Sequence, residues 1–153
     1  MPKVVLVHPE IPPNTGNIAR TCAATQTELH LVGPLGFELS DRYLKRAGLD
    51  YWPYVNLHCH DDLHHFWRIQ QRTGGRCLGF STRGQTHYLA CHYQPTDWLL
   101  FGCETQGLPS SVIEHCDLTL HIPIAEPNVR SLNLSVSVAI GLFEARRQIG
   151  ANG

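Results

Sequence analysis

Val4-Val5-Leu6-Val7, running into His8-Pro9-Glu10-Ile11-Pro12-Pro13-Asn14-Thr15-Gly16, is the stretch on which the fold turns. Four apolar residues without polar alternation describe a strand buried on both faces, as in parallel sheets covered by helices. Pro and Gly are expected to keep the next segment a loop, so that a helix starts at Asn17 and runs to residue 24. Its inner face would carry Ile18, Ala19, Cys22 and Ala23. Outward from there, strand and helix signals alternate. A strand over 29–32 stops at Gly33-Pro34; Ser40-Asp41 looks like the cap of a helix to 47, ended by Gly48. A strand over 54–59 precedes a helix from an Asp61 cap to about 72, closed by Gly74-Gly75. Strands follow over 76–81, more weakly over 87–92, and over 98–102. Pro109 opens a short helix to 116, a strand covers 118–124, and the longest helix spans 131–149. This alternation predicts one α/β domain over 1–153, with a mainly parallel sheet flanked by helices.

Composition agrees with that reading. A chain of 153 residues, 42% hydrophobic and 16% charged, can bury roughly 70% of its unfolded surface without staples. Lys plus Arg number 12 against 13 Asp plus Glu, so a net charge of −1 excludes a global basic field. A local basic patch stays open. The six cysteines include no CxxC pair, the opening apolar run is too short for a signal peptide, and no run is long enough to cross a membrane. A reduced, cytoplasmic chain with no membrane partner is expected.

Several chemistries drop out. Gly79 to Gly84 has P-loop glycine spacing, but Gln85-Thr86 stands where Lys and a hydroxyl residue are needed. GxGxxG, GxSxG and SxxK are absent, and lysine occurs only at 3 and 45. The segment His58-Cys59-His60-Asp61-Asp62-Leu63-His64-His65 raises zinc, with His60 and His64 on one helical face, but four suitable ligands are not evident. A solvated loop and capped helix start is the expectation there, with no metal site.

In open α/β sheets ligands sit beyond the carboxyl ends of strands. Three unusual loops fall there: the Pro-rich loop after the first strand, residues 102–107, and Pro123-Ile124-Ala125-Glu126-Pro127 before Ser131. Taken singly they are weak. Arg20 reads as a surface charge on a small apolar helix, Glu104 as a turn-shaping carboxylate, and Ser131 and Asn133 as helix caps. Their combination is distinctive. Pro13-Asn14-Thr15-Gly16-Asn17-Ile18-Ala19-Arg20, Phe101-Gly102-Cys103-Glu104-Thr105-Gln106-Gly107-Leu108-Pro109, and Ile122-Pro123-Ile124 with Ser131-Leu132-Asn133-Leu134-Ser135-Val136-Ser137-Val138-Ala139 occur in this order. They resemble the three signature motifs of the SPOUT superfamily, in its TrmH-like branch of RNA ribose 2′-O-methyltransferases. Ala47-Gly48-Leu49-Asp50-Tyr51 and Glu144-Ala145-Arg146-Arg147-Gln148 make the chain most similar to the short TrmL type, which methylates the wobble ribose of certain tRNAs.

The resemblance implies a C-terminal trefoil knot and a homodimer packed through the first and last helices. It implies S-adenosylmethionine as methyl donor, held by Phe80, Gly102, Ile122 and Ser131, with Leu132 close by. A side chain at Gly102 would then obstruct approach to the cofactor. Arg20 is the expected catalytic residue, and Asn14, Glu104 and Asn133 support the site. Arg42, Lys45 and Arg46, with Arg130, are expected to contact RNA phosphates. The apolar residues Val136, Ala139, Ile140 and Phe143 on the last helix also argue for a dimer. Two departures stand out: Thr25-Gln26 replaces a frequent Thr-Gly, and Phe143 stands where Tyr is common. The alternatives are methylation elsewhere on tRNA or on ribosomal RNA, or a knotted RNA-binding protein without turnover.

Overall fold

The structure, a computed structural model, describes residues 1–40, 42, 46 and 50–150. Among these residues seven strands form: β1 (Lys3–Val7), β2 (Leu29–Val32), β3 (Leu57–His60), β4 (Cys77–Phe80), β5 (Thr86–His87), β6 (Trp98–Phe101) and β7 (Leu118–His121). They form one sheet in the order β3-β2-β1-β6-β4-β7-β5, and every pair is parallel. Helices bounded within the described residues are α1 (Pro12–Ala24), α2 (Leu63–Thr73), α3 (Ser110–His115) and α4 (Leu134–Ile149).

The opening apolar run is explained by two cores. Val4 and Leu6 point into one, with Ile18, Ala19 and Cys22 of α1 and Val138, Leu142 and Ala145 of α4. Val5 and Val7 point into the other, with Phe66 of α2, Trp98, Leu100 and Val112 of α3. A strand covered on both faces has no position for a polar residue, so the period-2 signal disappears. Each fully buried Leu or Val is worth about 1.5–3 kcal/mol of transfer free energy.

Several element boundaries differ from expectation. The segment read as a loop is helical from Pro12, because Pro12 and Pro13 occupy the first turn, where a missing N–H leaves no bond unmade. Asn14, Thr15 and Gly16 are thereby buried helical residues. Trp52–Tyr54 is a 3-10 turn, which delays β3 to Leu57. The strand expected over 87–92 shrinks to β5, followed by a 3-10 turn at Tyr88–Ala90. Asp62, not Asp61, caps α2 by accepting from the His65 N–H at 2.8 Å. α4 begins at Leu134 instead of 131, because Asn133 Oδ1 accepts from the N–H groups of Ser135 and Val136. Of the helix expected over 40–47, Arg42 and Arg46 are helical and exposed, while Lys45 lies outside the described residues.

Candidate active site

The carboxyl ends of β1, β6, β4 and β7 stand side by side, and the segments after β6, β4 and β7 enclose a cavity of about 570 Å³. Phe80, Gly102, Ile122, Ser131 and Leu132 all line it, as do the 103–108 loop and Leu134. The five residues come from three separate stretches of sequence, and the sheet order brings them to one wall. Phe80 stacks on Phe101 with ring centroids 4.6 Å apart and planes 15° from parallel. α4 closes over this pair at Gly141, where a Cβ would lie 2.8 Å from the Phe80 ring.

Gly102 is required by the backbone around it, independently of any ligand. A Cβ there would stand 1.9 Å from the carbonyl carbon of Gly107 and 2.1 Å from the Leu108 nitrogen. What it would obstruct is its own loop, which doubles back through a Cys103–Gly107 bridge with the Gly107 N–H donating to the Cys103 carbonyl at 3.0 Å. The glycine therefore shapes the wall before any ligand arrives.

Two carboxylates lock this loop to the one after β1. Glu104 Oε1 accepts from the Glu10 N–H at 2.9 Å, and Oε2 accepts from the Ile11 N–H at 2.6 Å and Asn14 Nδ2 at 3.3 Å. In return, Glu10 Oε1 accepts from the Thr105 hydroxyl at 2.6 Å and the Thr105 N–H at 3.2 Å. The Thr105 hydroxyl is the main reason that the Glu10 carboxyl is held below its ordinary range. Asn133 Nδ2 then donates to Asn14 Oδ1 at 3.1 Å. Asn14, Glu104 and Asn133 thus form one hydrogen-bonded chain through all three motif loops. Bonds to a carboxylate are roughly twice as strong as neutral ones, so the chain fixes the cavity rim.

Arg20 lies elsewhere. It is exposed on α1, six residues past Asn14 and about 9 Å along the axis, and it does not line the cavity. Its Nη2 donates to the Tyr51 hydroxyl at 3.2 Å, and its guanidinium carbon stands 4.6 Å over the Tyr51 ring. The structure therefore gathers the cofactor-wall candidates and their supports, and sets Arg20 on a separate surface. Arg130, expected among the phosphate contacts, lines the cavity itself. Phe143 is 52% exposed on α4. The suggestion that His60 and His64 share a helical face fails, since His60 ends β3 and His64 belongs to α2.

Sequence reasoning passed over Glu10, Thr105 and Tyr51. An acid just ahead of a proline-started helix is a weak signal for Glu10. Nothing marks Thr105 or Tyr51, whose partners are 95 and 31 residues away.

The chain matches the model of the SpoU rRNA Methylase family over residues 1–143. A protein of Synechocystis sp. is 60% identical to it over the whole of both chains. The tRNA (cytidine(34)-2'-O)-methyltransferase of Photorhabdus asymbiotica is 46% identical, over 100% of this chain and 97% of the relative. A solved structure concerned with the 2-OH methylation of C/U34 on tRNA superposes with a TM-score of 0.94 at 48% identity, covering 99% of this chain and 98% of the other. The AdoMet-bound rRNA methyltransferase of Sinorhizobium meliloti superposes at 0.83 with 27% identity, over 97% of this chain and 56% of that one.

Proposed function

This chain belongs to the SpoU methylase family, and from that premise we propose that it methylates the ribose 2′-hydroxyl of nucleotide 34, the wobble position, in tRNA. The observation that carries this reading is the meeting of the second and third motif segments on one cavity, to which Asn14 ties the first through Glu104 and Asn133. Likeness to a position-34 enzyme over nearly the whole length of both chains favours tRNA over ribosomal RNA as substrate.

The cavity suits S-adenosylmethionine. Its volume is in the range of small-ligand sites, and apolar walls at Phe80, Ile122 and Leu132 alternate with the polar loop backbone. Phe80, Gly102, Ile122, Ser131 and Leu132 would hold the cofactor. When bound, it supplies a methyl group made electrophilic by a sulfonium.

The chain's own task is to align the acceptor and to stabilise the charge that develops on its oxygen. Arg20, although outside the cavity wall of its own chain, is our candidate for that stabilisation. A guanidinium is a fixed cation, so Arg20 acts through its charge and leaves the proton to water or an RNA phosphate. Arg42, Lys45 and Arg46 are assigned to phosphate contacts, with Arg130 at the rim of the cavity. This makes tRNA affinity fall steeply with salt while cofactor affinity does not.

We also take the protein to be a homodimer with its C-terminal segment threaded as a trefoil knot. Support for the dimer comes from Val136 and Phe143 on α4, 47% and 52% exposed, with Ile11 exposed ahead of α1. Support for the knot comes from membership of the SpoU family and from the near-complete superposition on the solved structure concerned with C/U34 methylation. No helix among the described residues is long and apolar enough to cross a membrane, and a tRNA substrate accords with the cytoplasmic placement expected from the sequence.

Nucleoside mass spectrometry of tRNA from a deletion strain tests the reading. Loss of 2′-O-methylation at position 34, restored by the wild-type gene, is expected. Loss at another tRNA position or in ribosomal RNA would overturn the assignment, and no loss at all would favour a binding protein without turnover.

A further inference from the structure

At the opposite end of the strands from the cavity, the start of β2 and the edge strand β3 place Glu28, His30 and His58 together. The register makes His30 and His58 direct cross-strand partners, and Glu28 lies two residues before His30, on the same face. Their ligand-capable atoms, a carboxylate oxygen and two ring nitrogens, all lie within 4.8 Å of one another. We propose that these three residues bind a divalent metal ion of the zinc class, apart from the methyl-transfer site.

The donor atoms carry the argument. His30 is 3% exposed, stacked on His58 with ring centroids 4.6 Å apart and edge-on to Trp98 and Phe66. Its Nδ1 pairs with His60 Nε2 at 2.9 Å, and His60 Nδ1 pairs with His65 Nδ1 at 3.1 Å. Two tautomer sets satisfy that chain. If the protons run outward, His30 is protonated on Nδ1 and its Nε2 is a bare lone pair. If they run inward, Nε2 carries a proton with no acceptor. In both cases His30 Nε2 is shielded from water without a partner, and His58 Nε2, equally shielded, makes no hydrogen bond and has only the Glu28 carboxylate beside it at 3.3 Å. A buried polar atom left unpaired forfeits the hydrogen bonds it had in water, and such an atom asks for an explanation. A metal satisfies both nitrogens at once in the outward set, with His60 fixing the His30 tautomer as an outer partner does in zinc sites.

Two imidazoles and a carboxylate form a zinc-type donor set, with a fourth position for water on the side where Glu28 and His58 are partly exposed. Zinc bonds of about 2.0–2.2 Å place ligand atoms about 3.3 Å apart, so the side chains must close by up to about 1.5 Å, and the His58 ring must turn out of its stack on His30 to aim at the same point. An edge strand permits that adjustment. Without metal, the carboxylate is shared by His58 Nε2 at 3.3 Å and Lys3 Nζ at 3.9 Å, and Lys3 also stands 4.6 Å over the Trp98 ring. The lysine charge opposes a cation, so Lys3 sets the affinity down. Among the described residues these three are the group with metal-ligand spacing.

Calorimetry with zinc chloride and chelator-stripped full-length protein tests the site. One ion per chain at micromolar affinity is expected, with at least a tenfold loss in Glu28→Gln and in His58→Ala and a several-fold gain in Lys3→Gln. These side chains are partly exposed, which spares the core that a His30 variant would disturb. Zinc should also raise the melting temperature of the wild type but not of His58→Ala. Absence of binding, or equal affinity in wild type, Glu28→Gln and His58→Ala, would overturn the proposal. So would loss of binding in Cys59→Ser with retention in His58→Ala, which would assign the metal to the neighbouring exposed thiol.

Discussion

Glu104 sits among three donors from the segment after β1 and the first turn of α1, whereas Arg20 rests on the ring and hydroxyl of Tyr51. The first belongs to a cavity wall that is over-determined: its carboxylates and amides connect loops some 90 to 119 residues apart in sequence. The second is a long side chain on an exposed helix face, steadied by a cation–π contact worth about 0.5–1 kcal/mol at such a site. The difference teaches where binding and reaction are separable. Damage to the wall should appear in folding and cofactor affinity together, and damage at Arg20 should appear in the rate alone.

The largest effect is expected from Gly102→Ala. Its new methyl would overlap the backbone of Gly107 and Leu108, and backbone cannot rotate away as a side chain can. A penalty above about 4 kcal/mol, in the range of severe core lesions, should lower the melting temperature and abolish cofactor binding by calorimetry. Near-normal binding in this variant would mean that the loop tolerates another path and that the wall is less fixed than its contacts suggest.

Next comes Arg20→Ala. Removing one preorganised charge aimed at a developing oxyanion typically lowers the rate ~10²–10³-fold, while an exposed helix position shifts stability by only about ±0.5 kcal/mol. Arg20→Lys should rescue poorly, since an ammonium lacks the planar, forked geometry of a guanidinium. Single-turnover rates at saturating tRNA, beside cofactor calorimetry on the same preparation, decide the matter. Lost cofactor affinity would join Arg20 to the wall and dissolve the contrast.

Glu104→Gln should cost about 1.5–3 kcal/mol, the usual worth of hydrogen bonds to a charged group. An amide offers one acceptor oxygen and turns its NH2 toward N–H donors. Denaturant unfolding and cofactor titration should weaken in step, and a rate defect with neither would contradict the structural role.

The smallest effect is expected from Tyr51→Phe, which keeps the ring under Arg20 and removes one hydrogen bond worth about 0.5–1.5 kcal/mol. Turnover should fall by at most about tenfold with unchanged cofactor affinity. Tyr51→Ala, which removes ring and hydroxyl together, should fall further toward Arg20→Ala. If Tyr51→Ala is as active as the wild type, the contact seen on α1 does not position Arg20 for reaction.

Some of this was legible in residue order. Val4 to Val7, Cys77 to Phe80 and Trp98 to Phe101 are apolar on both faces because each strand is covered twice, and that signal needs no tertiary knowledge. The start of α1 was misjudged because proline is read locally as a breaker, although a first turn leaves its N–H positions unbonded in any case. His60 and His64 were grouped at helical spacing, whereas His60 lies on a strand whose neighbour brings His30 within 2.9 Å.

The sequence by itself determined the α/β class, the parallel sheet, the three loops at the strand ends and the family those loops denote. These follow from local composition and from motif order, which travel with the chain whatever its path. Only the tertiary structure decided that Asn14, Glu104 and Asn133 form one hydrogen-bonded chain and that Gly102 yields to Gly107. It alone set Arg20 on Tyr51 outside the cavity and paired His30 with His58. Each of these is a meeting of residues far apart in sequence. Strand order and register settle such meetings, because a shift of one residue in register sends every side chain to the other face of the sheet.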